Sequence, residues 1–290
     1  MYIKSPLNYT GGKYKLLKNI MPAFPQKADI FVDLFTGGLN VGINAEADVI
    51  YANDHITYLM DMFRLFQDTD TKELLENIQN CITKYELSKT NVEGYLKLRE
   101  NYNKTRDILE LFVLTCYSFN HQIRFNNSFQ FNTPFGKERS SYNHSIEKNL
   151  VDYCEALKNK NIHLTNIDFR EFDFSELGEN SMVYCDPPYL ITTGSYNDGK
   201  RGFGDWGIEE DRALLELLDR LNKSNIKFAL SNVFYHKGNT NEELIRWSEK
   251  YNVTFFDKRY SNCSYHFKDR DTKTVEVLIT NYEWENEVND

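Results

Sequence analysis

The residues best suited to chemistry form one tight run, Asp186-Pro187-Pro188-Tyr189, directly after the apolar segment Met182-Val183-Tyr184-Cys185. A short apolar run that ends at a polar turn is the pattern of a buried parallel strand, which would deliver the Asp186 carboxylate to the edge of a sheet. Two prolines remove backbone N–H donors and fix φ, so the carboxylate and the adjacent Pro187 carbonyl become rigid acceptors beside the Tyr189 ring. An aromatic exocyclic amine such as that of adenine needs this setting. Its nitrogen lone pair is delocalised into the ring, and acceptors for its hydrogens make it a better nucleophile. The tyrosine ring offers a face on which an unstacked base can rest.

A second constellation opens at Phe31-Val32-Asp33-Leu34-Phe35-Thr36-Gly37-Gly38-Leu39-Asn40, read as a strand, a carboxylate and a glycine turn leading into a helix. Glycines let a backbone turn sharply and approach a ligand at the carboxyl edge of an α/β sheet. About twenty residues further on, Asp54 ends the next strand-like run, where a carboxylate can accept from the two ribose hydroxyls of a nucleoside. Gly12-Lys13 does not make a phosphate loop, because Leu7 stands at the first glycine position and Tyr14 replaces the magnesium-binding Ser or Thr.

These groups need a scaffold to position them. Apolar runs at 30–35, 49–52, 182–185 and 226–231 read as buried strands, the last preceded by a helical stripe of Leu214, Leu215, Leu217, Leu218 and Leu221 within 209–221. Strands alternating with helices indicate an α/β sheet covered on both faces. Between residues 69 and 157 the pattern changes: helices are expected at 72–85 and 108–119, then an Asn- and aromatic-rich stretch at 120–143 with no helical period. Its core suggests a β-hairpin turning at Asn126-Asn127-Ser128. The expected division is a main domain of residues 1–68 and 158–290, with a mostly helical insertion at 69–157.

Composition narrows the classes. With 41% hydrophobic and 14% aromatic residues, 290 residues can bury a substantial core. No apolar run approaches the roughly 20 residues needed to span a bilayer, and the chain opens without an apolar signal core, so a cytoplasmic protein with no membrane partner is expected. The net charge of -9 argues against coating nucleic acid by bulk electrostatics. The distribution is uneven, however: residues 1–28 carry five lysines and no acid, while 283–290 carry four acids and no base. Cys81, Cys116, Cys154, Cys185 and Cys263 are widely spaced, and His55, His121, His144, His163, His236 and His266 are scattered. Neither set has the spacing of a disulfide framework, a metal site or a nucleophile–base pair.

With these motifs in place, the chain resembles the Dam-type DNA adenine-N6 methyltransferases over nearly its whole length. Pro6-Leu7-Asn8-Tyr9-Thr10-Gly11-Gly12-Lys13-Tyr14 is similar to the family's opening motif, which implies cofactor contacts for Tyr9 and Lys13. The run from Asp33 through Phe35 and Gly37 resembles its cofactor loop, Asp54 its ribose acid, and Asn166-Ile167-Asp168-Phe169 the motif whose acid, here Asp168, bonds the cofactor adenine amine. Asp186, Pro187 and Tyr189 match the catalytic tetrapeptide, where Asp186 also borders the cofactor. The stretch holding Arg124, Asn126, Pro134, Lys137 and Arg139 resembles the DNA-reading hairpin, and residues 275–282 the terminal strand.

The resemblance implies a Rossmann-like sheet, S-adenosylmethionine as methyl donor and double-stranded DNA as partner. It implies extrusion of an adenine onto Tyr189, bonding of its amine to Asp186 and the Pro187 carbonyl, and direct methyl transfer without a metal. A cognate restriction endonuclease is a partner by context. The alternatives are a methyltransferase acting on cytosine N4 or RNA, and a catalytically silent DNA-binding regulator. Leu39, Asn8 and Gln122 depart from the family's commonest residues, which leaves the DNA site open among GATC, CATG and other adenine- and guanine-containing sequences.

Overall fold

The computed structural model describes residues 1–192, 206–256 and 274–284, so Cys263, His266 and most of the acidic run at 283–290 lie outside the described residues. The strands are β1 (Ala28–Asp33), β2 (Ala47–Asn53), β3 (Ile162–Thr165), β4 (Met182–Cys185), β5 (Lys227–His236), β6 (Asn239–Thr240), β7 (Asn252–Phe255) and β8 (Thr274–Thr280). Their order is β3-β2-β1-β4-β5-β8-β7, with β6 paired to β5. Strands β1 to β5 run parallel, and β8 is antiparallel to both β5 and β7. The chain moves outward from β1 to β3 and then returns to β4, which places the topological switch point between β1 and β4. Connections diverge there and leave a crevice at the carboxyl ends of the strands. Asp33 closes β1 and Asp186 follows β4, so both carboxylates stand at that crevice.

The helices are α1 (Leu17–Ile20), α2 (Thr57–Asp68), α3 (Thr71–Lys84), α4 (Val92–Thr105), α5 (Ile108–Tyr117), α6 (His144–Asn159), α7 (Ile208–Lys223) and α8 (Glu242–Ser248). Because side chains alternate across a strand, each central strand feeds two cores. Phe31, Met182 and Tyr184 join Leu59 and Phe63 of α2, Leu111 of α5, and Leu150 and Tyr153 of α6. Val32, Val183 and Cys185 join Leu214 and Leu218 of α7 on the other face. The expected strands and the helices at 72–85, 108–119 and 209–221 are all present within a few residues. Helices α3 to α6 lie in the connection from β2 to β3 and contribute to the same continuous core as α2 and the sheet.

Three local expectations are corrected. β1 ends at Asp33, not at Phe35, and the glycine turn leads into a single 3-10 turn, Gly42–Asn44, instead of an α-helix. The physical reason is that side chains capture this segment: Asp33 Oδ2 accepts from Gly42 N at 2.8 Å, while Asn40 and Asn44 accept from the backbone of Ser5 and Ile3. The hairpin is not a strand pair. Only isolated antiparallel bridges, Phe125 with Phe131 and Ser118 with Phe135, cross this stretch. Asn126 Oδ1 accepts from both Ser128 N and Gln130 N, and Asn103 bonds both the N–H and the carbonyl of Phe131. Polar side chains thus satisfy backbone groups that a ladder would use. The turn does form where expected, with Phe129 N donating to Asn126 O at 2.8 Å.

Asn53 clamps the crevice floor. Its Nδ2 donates to the carbonyls of Leu34 and Ile167, and its Oδ1 accepts from Thr165 Oγ1 and Ile167 N, joining the ends of β1, β2 and β3 in a position only 1% exposed. Asn53→Ala strands these buried partners and is expected to cost roughly 2 to 4 kcal/mol of stability, from about 1 to 3 for each unsatisfied group. Urea unfolding checks it: a midpoint equal to wild type would show that the clamp carries no load.

Candidate active site

The crevice is a cavity of about 230 Å³ bordered by Tyr9 to Lys13, Asp33 to Gly38, Asp54, Asp168, Asp186 to Tyr189 and Trp206. It therefore brings together every residue expected to hold a cofactor or to react.

Asp54 follows β2, and its carboxylate is fixed by the backbone: Oδ2 accepts from Gly37 N at 2.8 Å and Oδ1 from Ile56 N at 2.9 Å. The glycine turn and the expected ribose acid are thus one hydrogen-bonded unit. Gly37 has φ +48°, and a Cβ there would lie 3.1 Å from the Tyr9 ring, so the aromatic residue packs against a turn that only glycine forms without strain. Asp168 is held by Arg170 in a two-pronged pair, Nε to Oδ1 and Nη2 to Oδ2, both at 2.7 Å. That guanidinium keeps the Asp168 carboxyl below the usual carboxylate range. Beside it, Phe35, Phe169 and Trp206 form an aromatic wall with centroids 5.3 to 5.6 Å apart.

The unexpected element is what Lys13 pairs with. Its ammonium lies 2.8 Å from Asp186 Oδ2 and 3.5 Å from Glu276 Oε1, and 5.0 Å from the centre of the Tyr189 ring. The Tyr189 hydroxyl lies 2.8 Å from Asp186 Oδ1 and 3.2 Å from Glu276 Oε1. Burial pushes the carboxyls of Asp186 and Glu276 above their ordinary values, and Lys13 opposes that in both. Sequence reasoning missed Glu276, Arg170, Trp206 and Asn53. An acid inside the apolar run Val275-Glu276-Val277-Leu278-Ile279 was the signal for the first. Arg170 carries a weaker one, standing two residues after Asp168.

The residues expected to read DNA lie on the 118–140 segment, outside the lining of the crevice. Arg124 is exposed and braced by Asn132, with Nε donating to Oδ1 at 3.0 Å. Arg139 stacks on exposed Phe119 at 4.8 Å, and Lys137 is exposed. Asn126 shapes the turn, and the Pro134 carbonyl accepts from Phe119 N. Asn8 Nδ2 donates to Asn120 O at 2.8 Å, tying the opening motif to this segment.

Asp33 is 1% exposed, and its Oδ1 has no hydrogen-bond partner among the described residues. Burial pushes its carboxyl up to about 8, against the pull of the Gly42 N–H and with a further push from Asp186 and Asp54. Between about pH 4, where an unfolded Asp titrates, and about pH 8, the folded chain keeps a proton that the unfolded chain releases. Stability therefore falls as pH rises through that window. Asp33→Asn retains an acceptor for Gly42 and removes the titration, so its stability should fall less steeply. Thermal melts from pH 5 to 8 check this, and parallel wild-type and variant curves would refute it.

Residues 9–277 match the family model described as D12 class N6 adenine-specific DNA methyltransferase. The chain is 51% identical over 281 residues to the Type II methyltransferase M.FokI of Planomicrobium okeanokoites, covering 97% of this chain and 43% of that protein. It is 49% identical over 284 residues to the modification methylase StsI of Streptococcus sanguinis, again covering 97% and 43%. With the DNA adenine methylase of Escherichia coli (strain K12) it shares 27% identity over 244 residues, 78% of this chain and 79% of that one. The chain thus spans under half the length of M.FokI and StsI. A match that runs from the opening motif into β8, on a sheet whose switch point gathers Asp33, Asp54 and Asp186, makes this chain a member of the D12 class of N6 adenine-specific DNA methyltransferases.

Proposed function

We propose that the chain transfers a methyl group from S-adenosylmethionine to the N6 amine of an adenine extruded from a short double-stranded DNA site. The observation that carries this reading is the convergence of Asp54, Asp168 and Asp186 on one cavity at the switch point. The cavity suits the donor: Asp54 is a backbone-fixed acceptor for ribose hydroxyls, the Phe35, Phe169 and Trp206 wall suits a purine, and the partnerless Asp33 oxygen suits a ligand N–H. Tyr9 and Gly37 border the same cavity, and Lys13 acts there through Asp186. When bound, S-adenosylmethionine supplies an activated methyl group.

Asp186 and the Pro187 carbonyl receive the hydrogens of the target amine. Tyr189, with Lys13 near its ring, offers the base a stacking surface. Residues 1–68 and 158–290 carry this chemistry, and 69–157 forms the target-recognition insertion. On that insertion Arg124 is braced to read a base edge, Lys137 and Arg139 meet phosphates, and Asn126 and Pro134 hold the loop's shape. The names of M.FokI and StsI favour a modification role; a cognate restriction endonuclease as partner and a cytoplasmic location complete the reading. No described helix is long and apolar enough to cross a membrane.

Sequencing of methylated adenines in DNA from cells expressing the chain tests reaction and site together, and an absence of modified adenine refutes the reading. Asp186→Ala is expected to lower turnover on the order of a hundredfold or more, as loss of a positioned electrostatic contact does, while much of the cofactor affinity survives. Asp54→Ala should act through affinity instead, since it removes a charged acceptor worth about 1.5 to 3 kcal/mol. Saturating S-adenosylmethionine should restore most activity to Asp54→Ala and none to Asp186→Ala; equal responses would undo the division of roles.

Recognition is tested on duplexes carrying single base changes. Arg124→Ala should relax discrimination at one guanine by roughly 1 to 3 kcal/mol, whereas Lys137→Ala should weaken binding to every sequence and flatten its salt dependence. An Arg124→Ala enzyme uniformly weaker yet equally selective would remove that residue from base reading.

A further inference from the structure

Glu276 lies on β8, on the far side of β5 from β4, and is paired in register with Val233. Its carboxylate nevertheless reaches the two donors that hold Asp186. Oε1 is 3.5 Å from the Lys13 ammonium and 3.2 Å from the Tyr189 hydroxyl, and the same two groups meet Asp186 at 2.8 Å each. Two carboxylates thus share one ammonium and one phenol in a site where the lysine side chain is 6% exposed. An acid half-buried in an otherwise apolar strand is costly unless paired, and here its partners are the groups that touch Asp186.

We propose that Glu276 is a positioning residue for methyl transfer, holding Lys13 and Tyr189 on Asp186 and dividing their donor strength with it. The inference rests on the function proposed above. A carboxylate has about four acceptor positions. Lys13 and Tyr189 occupy one on each Asp186 oxygen, which leaves acceptor capacity for an amine. Were Glu276 absent, the whole charge of Lys13 would bear on Asp186 and weaken it as an acceptor, and Tyr189 would lose one of its two tethers. The charged and titratable groups around this pair, among the described residues, are Lys13 from the opening turn, Tyr189 after β4, Tyr184 and Cys185 on β4 and Asp33 on β1.

The test uses wild type, Glu276→Gln, Glu276→Ala and Asp186→Ala, with labelled S-adenosylmethionine and unmethylated genomic DNA. Wild type that labels DNA while Asp186→Ala does not upholds the underlying reading, and wild type without activity sinks both. Glu276→Gln keeps an acceptor for both donors and should lose about tenfold in kcat with KM for S-adenosylmethionine unchanged, while Glu276→Ala should lose on the order of a hundredfold. Removing the neighbouring negative charge also makes Asp186 easier to ionise, so the acidic limb of the kcat profile should move to lower pH in Glu276→Gln. An independent readout uses the protein without DNA or donor. Because burial raises the Glu276 carboxyl, wild-type stability falls as pH rises above the ordinary Glu value, and Glu276→Gln should lose that part of the slope. A Glu276→Ala enzyme within about threefold of wild type, or a Glu276→Gln enzyme with an unmoved acidic limb, overturns the proposal.

Discussion

The constraint on which the rest of the structure depends is the housing of negative charge at the switch point between β1 and β4. Asp33, Asp54, Asp186 and Glu276 come close to one another in a place partly closed to water, where like charges repel and desolvation disfavours ionisation. Each is managed differently. Asp54 is satisfied by two backbone N–H groups, Asp33 accepts from Gly42 N while burial pushes its carboxyl up, and Asp186 and Glu276 divide a single lysine. That division explains why the opening motif must lie against the sheet. Ser5 N bonds Asn40 and Ile3 N bonds Asn44, so the segment that carries Lys13 is fastened to the turn after β1. The absence of an α-helix after the glycines follows from the same fastening.

In the proposed reaction, the negative excess matters at two moments. A sulfonium donor brings positive charge that this cavity favours, and transfer of the methyl group removes that charge from the sulfur, so the electrostatic attraction weakens as the product forms. The aromatic wall and the Asp54 contacts do not change with the reaction, and they supply binding that is the same before and after it. Only the Asp186 network distinguishes a neutral amine from one acquiring a bond to carbon, which makes it the place where interactions count toward rate instead of affinity.

Much of this was legible in the sequence, for definite reasons. Asp33, Asp54 and Asp186 were found because each terminates or closely follows a short apolar run, and a parallel sheet gathers such ends at one edge, whereas Asp168 was legible only through the family resemblance of the motif around it. Glu276 was not, because its partners are separated from it by more than 80 residues and nothing local relates β8 to Lys13. Helix α6 was overlooked although Leu150, Tyr153, Cys154 and Leu157 make a regular stripe, since the irregular stretch before it hid its start at Asn143. The hairpin was misjudged for the opposite reason. Its alternation of aromatic and polar residues has the period of a strand, yet Asn126 within it bonds the backbone itself and Asn103 of α4 takes the Phe131 N–H.

The loop and the crevice are therefore joined in different ways. Asp33, Asp54 and Asp186 stand at strand ends, positioned by a sheet whose register cannot slip without exposing a core on both faces. The 118–135 loop has only isolated backbone bridges and is also held by side-chain bonds, Arg124 to Asn132, Thr133 to Gln122 and Asn103 to Phe131, each of which can be exchanged without breaking a ladder. Among the described residues it is tied to the segment that carries Lys13 through Asn8 on Asn120, five residues from that lysine, and to α2 through Tyr58 on Phe125. Substitutions in the loop can therefore change the surface it presents while Asp186 and its partners keep their geometry. A change at Asn8 is felt on both sides, since it touches the loop and the segment that carries the lysine.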